Sequence, residues 1–184
     1  MKSIFYVMKE KYGPCTKQDD YLLSALLSIE DIECDNIAQY MQKVSDYMKK
    51  YDLLNNNSIQ SITNSIVLRD NDDSMEKIVD FLLKSDKSEL KIGSQFIGLV
   101  GLLIKNQDNN KIIQNMKEVL NYLSDEEPEY YYYMDKDFRN MIALVIILMS
   151  DKKDDIKYVD ELIAYGVYSF IMSKNQGILN EVIS

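Results

Sequence analysis

Residues 92–104 constrain the fold of this chain more than any other stretch. These thirteen residues carry no charge, and only Ser94 and Gln95 among them are plainly polar. A helix of that length spans ~20 Å, which is well short of the ~30 Å hydrocarbon core of a bilayer. We therefore expect a helix that is buried inside the protein on most sides and covered by its neighbours.

The chain as a whole favours helix, since only six of its 184 residues are glycine and two are proline. The clearest amphipathic pattern is an apolar stripe at helical spacing, formed by Ile37, Tyr40, Met41, Val44, Tyr47, Met48 and Tyr51. Charged and polar residues fill the positions between them, so one side of this helix is predicted to be exposed to solvent.

Capping and turn residues predict several boundaries. Thr16 is expected to open the second helix, because its hydroxyl can accept from the free amides of the first turn. Ser58 is the predicted cap of the helix that follows the asparagine turn at 55–57. Residues 124–135, which include Pro128, are predicted to form the longest irregular loop.

Residues 137–150 predict a second deeply buried helix, because 141–149 are nine consecutive apolar residues. We expect this helix to be hidden on nearly all sides, like residues 92–104. A last long helix with one apolar side is predicted across residues 156–170.

The more apolar helices recur at a regular interval. Their midpoints at Leu23, Ile62, Val100 and Val145 lie 39, 38 and 45 residues apart, a period typical of HEAT and armadillo repeats. The sequence therefore predicts an all-α fold of stacked helical hairpins that form an α-α superhelix. We expect a single domain over residues 1–184, with about four hairpin units and a C-terminal helix. The alternative is an irregular multi-helix bundle with coincidental spacing.

The net charge of −9 and the two cysteines limit partners and location. Only Arg69 and Arg139 offer the planar fork that binds phosphate, so a nucleic-acid role is disfavoured. The same charge opposes attachment to anionic lipid, and no transmembrane segment is expected. Cys15 and Cys34 are too few for a disulfide framework, and the N-terminal apolar run is too short for a signal peptide, so we expect a cytoplasmic protein.

Histidine is absent from the sequence, and this absence excludes many catalytic designs. It removes Ser-His-Asp and Cys-His catalysis, the common histidine-containing metal motifs, and histidine acid–base chemistry near neutral pH. We find no recognisable catalytic motif, so we expect no cofactor, no metal site and no catalytic residue. The sequence therefore favours a protein that is not an enzyme.

A first candidate binding site combines Asp19, Asp20 and Tyr21 with Gln60. These side chains would form a small polar site if the first two hairpins stack on each other. Capping explains the two aspartates equally well, because carboxylates in a first helical turn stabilise the helix by ~0.3 to 1 kcal/mol each.

A second candidate is an acidic run at residues 125–129 followed by four consecutive tyrosines, Tyr130, Tyr131, Tyr132 and Tyr133. Tyrosine is enriched at binding interfaces because it buries a large area with few rotatable bonds. The alternative is that two of the rings anchor a loop to the core while two are simply exposed. The negative charge beside the rings argues against stacking on nucleic-acid bases.

Two short segments resemble signatures of a known family. Val7-Met8-Lys9 leads into Thr16, followed by Asp19-Asp20-Tyr21 and a leucine-rich helix, and Asn57-Ser58-Ile59-Gln60 opens another helix. This pattern is similar to an uncharacterised domain-of-unknown-function family of low-GC Gram-positive bacteria.

That resemblance implies a helical fold and no activity. It also suggests that the chain matches only the C-terminal part of longer members. Cys15 stands where the family favours leucine, and the family's frequent histidine before Thr16 is missing.

The sequence thus favours a non-enzymatic module for protein–protein interaction or self-association, with a protein partner or a second copy of the chain as its ligand. A stack without a preceding repeat exposes apolar surface at that end, which makes homo-oligomers plausible. The alternative is a small-ligand-binding protein or an enzyme that uses carboxylates and tyrosines in a pocket between hairpins.

Overall fold

The computed structural model describes residues 2–13, 16, 21–29, 34–69, 75–102, 108–150, 160 and 164, and these residues are all-α, without a strand. The prediction of an all-α fold is confirmed. The helices are α1 (Lys2–Tyr12), α2 (Tyr21–Ile29), α3 (Cys34–Lys49), α4 (Asn56–Arg69), α5 (Met75–Lys87), a 3₁₀ helix (Ile97–Leu102), α6 (Asn109–Glu126), α7 (Pro128–Tyr133) and α8 (Lys136–Ser150).

Helix α3 confirms the amphipathic pattern read from the sequence. Ile37, Met41, Val44 and Met48 are buried in the core, while Tyr51 beyond the end of the helix is exposed. Full burial of one such side chain contributes roughly 1.5–3 kcal/mol relative to exposure. Packing of this apolar stripe against the core therefore stabilises the helix more than its intrinsic helix propensity does.

Helix α4 lies at the centre of the packing and is buried on nearly every side. Ile62 and Ile66 have no exposed surface, and neither do the polar residues Thr63 and Asn64. The helix begins one turn earlier than expected. Asn55, not Ser58, caps it, because the Asn55 side-chain oxygen accepts from the Ser58 backbone amide at 2.9 Å, and asparagine is as good a cap as serine.

The apolar side chains described in residues 92–102 are buried, whereas Ser94 and Gln95 are exposed, and the predicted α-helix is wrong. Among the described residues of this segment, only Ile97–Leu102 is helical, and it forms a 3₁₀ helix. In that geometry residues three apart lie on one line, which places Gly98 and Gly101 together against α4. A methyl group on Gly101 would lie 2.7 Å from the Ser65 Cβ atom. Both glycines of the 3₁₀ helix therefore face α4, and the approach is closest at Gly101.

The predicted loop at residues 124–135 is also wrong, because most of it is helical. Helix α6 runs to Glu126, and the Glu127 backbone amide donates to the Leu123 carbonyl at 3.0 Å. Pro128 then starts α7 at the first helical position, where its missing N–H costs nothing and its fixed φ suits a helix. The proline interrupts one helix and begins another.

Helix α8 is less hidden than its nine apolar residues predicted. Met141, Leu144 and Leu148 are buried, but Ile146 and Met149 are 40% and 42% exposed. The expected final helix at 156–170 falls outside the described residues, except that residues 160 and 164 are helical and exposed.

Helices two apart in the sequence pack against each other: α1 on α3, α3 on α5, α2 on α4, α4 on the 3₁₀ helix, and α6 on α8. Successive helices also pack, as in α1 on α2 and α3 on α4. Stacked hairpins produce this combination, since each helix meets both its own partner and the equivalent helix of the next unit. A HEAT-like superhelix and a single domain over residues 1–184 stay predictions.

Candidate functional site

Exposed aromatic rings occupy the corner where α6 packs against α7. Tyr122 on α6 is 64% exposed, and Tyr131 and Tyr132 on α7 are 56% and 82% exposed. The Tyr131 and Tyr132 rings meet edge to face, with their centroids 6.0 Å apart. These three rings form a cluster of exposed aromatic side chains, which makes this corner a candidate site for contact with a partner.

The segment that carries these rings contains only negative charges. The sequence has no lysine or arginine between Lys117 and Lys136. We define the acidic tyrosine surface by its exposed residues, which are Tyr122, Asp125, Glu126, Glu127, Glu129, Tyr131 and Tyr132. This surface contains the acidic residues of the predicted run and two of the four predicted tyrosines, Tyr131 and Tyr132, and these residues lie on two helices and the residue between them, not in a long loop.

Arg139 holds one ring of this surface in place. Its guanidinium carbon lies 4.1 Å from the centre of the Tyr131 ring, a distance at which a cation is attracted to the ring face. Arg139 is half-buried on α8, so the contact joins α7 to α8. Tyr131 is therefore an oriented ring, whereas Tyr132 projects into solvent. The side chains of Tyr130 and Tyr133 lie outside the described set.

Gln60 has a buried, structural position. Its side-chain amide donates to the Thr16 hydroxyl at 3.2 Å, and that hydroxyl donates to the Met8 carbonyl at 3.1 Å. The chain of bonds ties α4 through Thr16 to α1. Thr16 thus connects two hairpins, a role different from the helix cap predicted for it, and Gln60 is 3% exposed.

Tyr21 lies elsewhere, at the rim of a shallow groove beside α1. Its ring stacks on Phe5 with centroids 4.4 Å apart, and Lys2, Tyr6 and Lys9 complete the described lining. Gln60 does not line this groove. The structure therefore does not bring Tyr21 and Gln60 into one concavity, while Asp19 and Asp20 lie outside the described residues.

A second groove, of about 330 Å³, lies between successive hairpins and was missed by sequence reasoning. We call it the inter-hairpin groove and define it by Asp52, Leu53, Leu83, Asp86, Lys91 and Ile97. These residues come from the α3–α4 connection, the end of α5 and the segment that enters the 3₁₀ helix. No local motif marks them, because the groove exists only once three distant segments meet.

Two residues with left-handed backbone shape the connections beside this groove. Asp52 has φ of 49° and Glu89 has φ of 58°, values that cost a non-glycine residue ~1 kcal/mol or more. At the end of α5 the Leu90 amide donates to the Ser85 carbonyl at 2.9 Å and the Glu89 amide to Asp86 at 3.1 Å. This Schellman arrangement fixes the direction of the chain into the groove.

Among the described residues, two titratable groups have clearly shifted pKa values, and both are explained by contacts within and between helices. Burial raises the pKa of Asp80, but hydrogen bonds from Lys84 and Asn109 outweigh it and hold the pKa below its ordinary value. The Asn109 amide reaches Asp80 at 2.7 Å and the Lys77 carbonyl at 2.9 Å, which links α5 to α6. A hydrogen bond to Tyr51, followed by burial, raises the pKa of Tyr47 to about 12.

The described part of the chain contains neither a metal-binding cluster nor a membrane-spanning helix. No group of three or more Cys, Asp or Glu side chains there could hold a metal ion. None of the described helices combines the length and the hydropathy that crossing a bilayer requires.

Comparison with known proteins identifies the family. No curated protein and no solved structure matches the chain significantly. A family model described as "Protein of unknown function (DUF4003)" matches residues 1–176. This match confirms the expected membership of an uncharacterised family, while the bacterial range and the signature stay predictions. The chain therefore belongs to the DUF4003 family of proteins of unknown function.

Proposed function

We propose that this protein is a non-enzymatic interaction module that binds a basic segment of another protein through the acidic tyrosine surface. The observation that carries the proposal is the combination of three exposed tyrosine rings with four exposed carboxylates on the same surface, Asp125, Glu126, Glu127 and Glu129. Tyrosine supplies large contact area at low entropic cost, and the carboxylates supply long-range attraction.

The charge of the surface favours a different protein over a second copy of this chain. In a two-fold symmetric dimer the same patch faces itself, so Glu126 and Glu127 would meet identical carboxylates. Juxtaposed like charges disfavour a complex, whereas lysine or arginine side chains would compensate them. We therefore place self-association through this surface second.

Helix packing supports the proposal by making the surface rigid. Tyr131 is held under Arg139, and α6 packs on both α7 and α8. Binding would cost little free energy for ordering this surface, since the Tyr131 ring is already oriented before a partner arrives. The stacked-hairpin arrangement and a cytoplasmic location form part of this proposal, the latter because the sequence has two cysteines and no disulfide framework.

Affinity capture at two salt concentrations tests the proposal. Wild-type protein and a Tyr122→Ala/Tyr132→Ala variant are used as bait, with Tyr6→Ala as a control of similar exposure on α1. A specific partner should be retained by the wild type and the control at low salt, and lost from the variant. High salt should weaken retention as well, because screening shortens the reach of the carboxylates.

The charge itself is tested by a Glu126→Gln/Glu127→Gln variant, with Glu10→Gln/Asp35→Asn as the matched control. Both pairs remove two exposed negative charges, and the control pair lies on α1 and α3, outside the acidic tyrosine surface. Association of the captured partner, followed by surface plasmon resonance, should slow in the first variant only. Equal retention by all baits, or a partner with an acidic binding segment, would contradict the proposal.

A further inference from the structure

We infer that the inter-hairpin groove is a binding site for a zwitterionic small molecule of the free aliphatic amino acid class. The inference is independent of the acidic tyrosine surface, because it concerns other residues and another kind of ligand. It rests on the size of the groove, on the opposite charges around it and on its aliphatic lining.

The volume selects the size of the ligand. Small-molecule sites in proteins usually enclose ~300 to 1,000 Å³, and the inter-hairpin groove has about 330 Å³. A molecule the size of one amino acid fits such a space, whereas a dinucleotide or a folded peptide does not. The groove also lies between consecutive hairpins, a usual place for ligand sites in helical proteins.

The charged residues of the groove indicate which groups the two ends of the ligand carry. Asp52, Asp86 and Lys91 line the same groove, and the structure shows no ion pair between any of them and another described residue. A ligand with an ammonium group and a carboxylate would satisfy both signs at once through charge-assisted hydrogen bonds. A simple amine or a simple acid would leave one sign without a partner.

The apolar lining selects the side chain. Leu53 and Leu83 are 40% and 39% exposed beside the groove, and the buried Ile97 forms part of its wall. Aliphatic groups on the ligand would cover this surface and remove it from water. No aromatic residue is among the described residues that line the groove, so an aliphatic side chain suits it better than a stacked ring.

The groove is built from fixed parts. The Asn140 amide donates to the Lys91 carbonyl at 2.9 Å, which anchors this segment to α8. The Schellman bonds at the end of α5 set the direction of the connection from Asp86 to Lys91. Preformed walls reduce the ordering cost of binding a small ligand.

Titration of the intact protein with L-leucine, followed by amide NMR shifts, tests the inference. Saturable shifts are expected at residues 52–58, 82–86 and 91–97. N-acetyl-L-leucine lacks the ammonium group and imitates a peptide C-terminus; L-leucinamide lacks the carboxylate and imitates an N-terminus. Each blocked probe should bind ~10- to 100-fold more weakly, the usual effect of losing a charge-assisted hydrogen bond.

Variants of the intact protein locate the two ends of the probe. Lys91→Gln should weaken L-leucine about tenfold or more and leave L-leucinamide unchanged, because the amide has no carboxylate for Lys91 to pair with. Asp52→Asn and Asp86→Asn should weaken L-leucine but not N-acetyl-L-leucine. Asparagine tolerates the left-handed backbone at position 52, so that change removes charge without adding strain. Lys87→Gln, an exposed lysine outside the groove, is the control.

Several results would overturn the inference. These are the absence of saturable shifts up to about 10 mM L-leucine, equal binding of the blocked probes, shifts that map outside the groove, and a loss in Lys87→Gln as large as in Lys91→Gln. The blocked-probe series uses only the wild-type chain, so it decides the question even where a variant folds poorly.

Discussion

Substitution of Gly101 by alanine tests the claim that the 3₁₀ helix packs on α4 through its glycines. The new Cβ atom would lie 2.7 Å from the Ser65 Cβ atom and 2.9 Å from the Ile62 carbonyl oxygen. The Ile62 oxygen is a backbone atom, and the Ser65 Cβ atom is attached directly to the backbone. Neither atom can therefore move away by rotation of a side chain. The 3₁₀ helix or α4 must move instead.

The size of the effect follows from two opposing terms. Extra volume in a packed core costs roughly 1–3 kcal/mol, and alanine recovers about 0.4–1 kcal/mol by restricting the unfolded chain. We expect a net loss of about 1–2 kcal/mol in the free energy of unfolding, which corresponds to a fall of roughly 2–8 °C in melting temperature for a chain of this length.

Gly98→Ala provides the matched control. Its Cβ atom would lie 3.4 Å from the Ser61 carbonyl oxygen and 3.5 Å from the Ser65 hydroxyl oxygen, which are ordinary contacts. The remaining effect is the lower conformational entropy of the unfolded chain with alanine. This variant should therefore be as stable as the wild type or more stable by up to ~1 kcal/mol. Urea unfolding followed by circular dichroism measures both variants, and the slope with denaturant should not change.

A double-mutant cycle identifies the atom responsible. Ser65→Gly removes the nearest Cβ atom and costs about 1 kcal/mol by itself, since glycine is a poor helix former. Gly101→Ala should cost less in that background than in the wild type, because only the Ile62 contact remains. If Gly101→Ala proves as stable as Gly98→Ala, the close packing of the 3₁₀ helix on α4 is refuted.

Four further substitutions test local features. Neither polar atom of the buried Asn64 side chain has a hydrogen-bond partner in the described chain, so Asn64→Leu, which replaces it with an apolar group of similar shape, should raise the free energy of unfolding by about 1 kcal/mol, while Gln60→Ala, which removes a hydrogen bond, should lower it. Glu89→Gly should stabilise by ~0.5–1 kcal/mol, because glycine adopts φ of 58° without strain; thermal unfolding measures all three. Tyr51→Phe should lower the pKa of Tyr47 from about 12 toward its ordinary value of 10.0, as followed by phenolate absorbance.

The shifted pKa of Tyr47 also sets a pH dependence. The folded protein favours the neutral phenol, so the stabilising contribution is complete below pH ~10 and is lost as the pH rises through about 12. Urea unfolding between these values should show a steeper loss of stability in the wild type than in Tyr47→Phe. Parallel curves for the two proteins would contradict the assignment.

The amphipathic helices were predictable because their information is local. In α3 the buried residues recur at three and four positions, and this spacing alone identifies the side that meets the core. The failures have other causes. The 3₁₀ geometry of Ile97–Leu102 depends on Ser65, more than thirty positions away, and a run of apolar residues does not encode that contact. Pro128 carried a usable signal, since a proline can begin a helix as readily as it ends one.

The two candidate sites also differ in whether their residues are neighbours in the sequence. The acidic tyrosine surface is recognisable from the sequence because its charges and most of its rings are neighbours along the chain. The inter-hairpin groove is not, because Asp52, Asp86 and Lys91 approach one another only through the packing of α3, α4 and α5. Thr16 was predicted to cap a helix and Gln60 to belong to a binding site, whereas the hydrogen bond between their side chains is a tertiary contact that no local pattern in the sequence predicts.

The position of the inter-hairpin groove has a mechanical consequence. In the stacked-hairpin arrangement that we propose, its walls would belong to consecutive units, so a bound molecule would contact both units and restrict the angle between them. Small rotations between units accumulate along such an array. A ligand bound between two units would then change the curvature of the array and reposition surfaces several helices away.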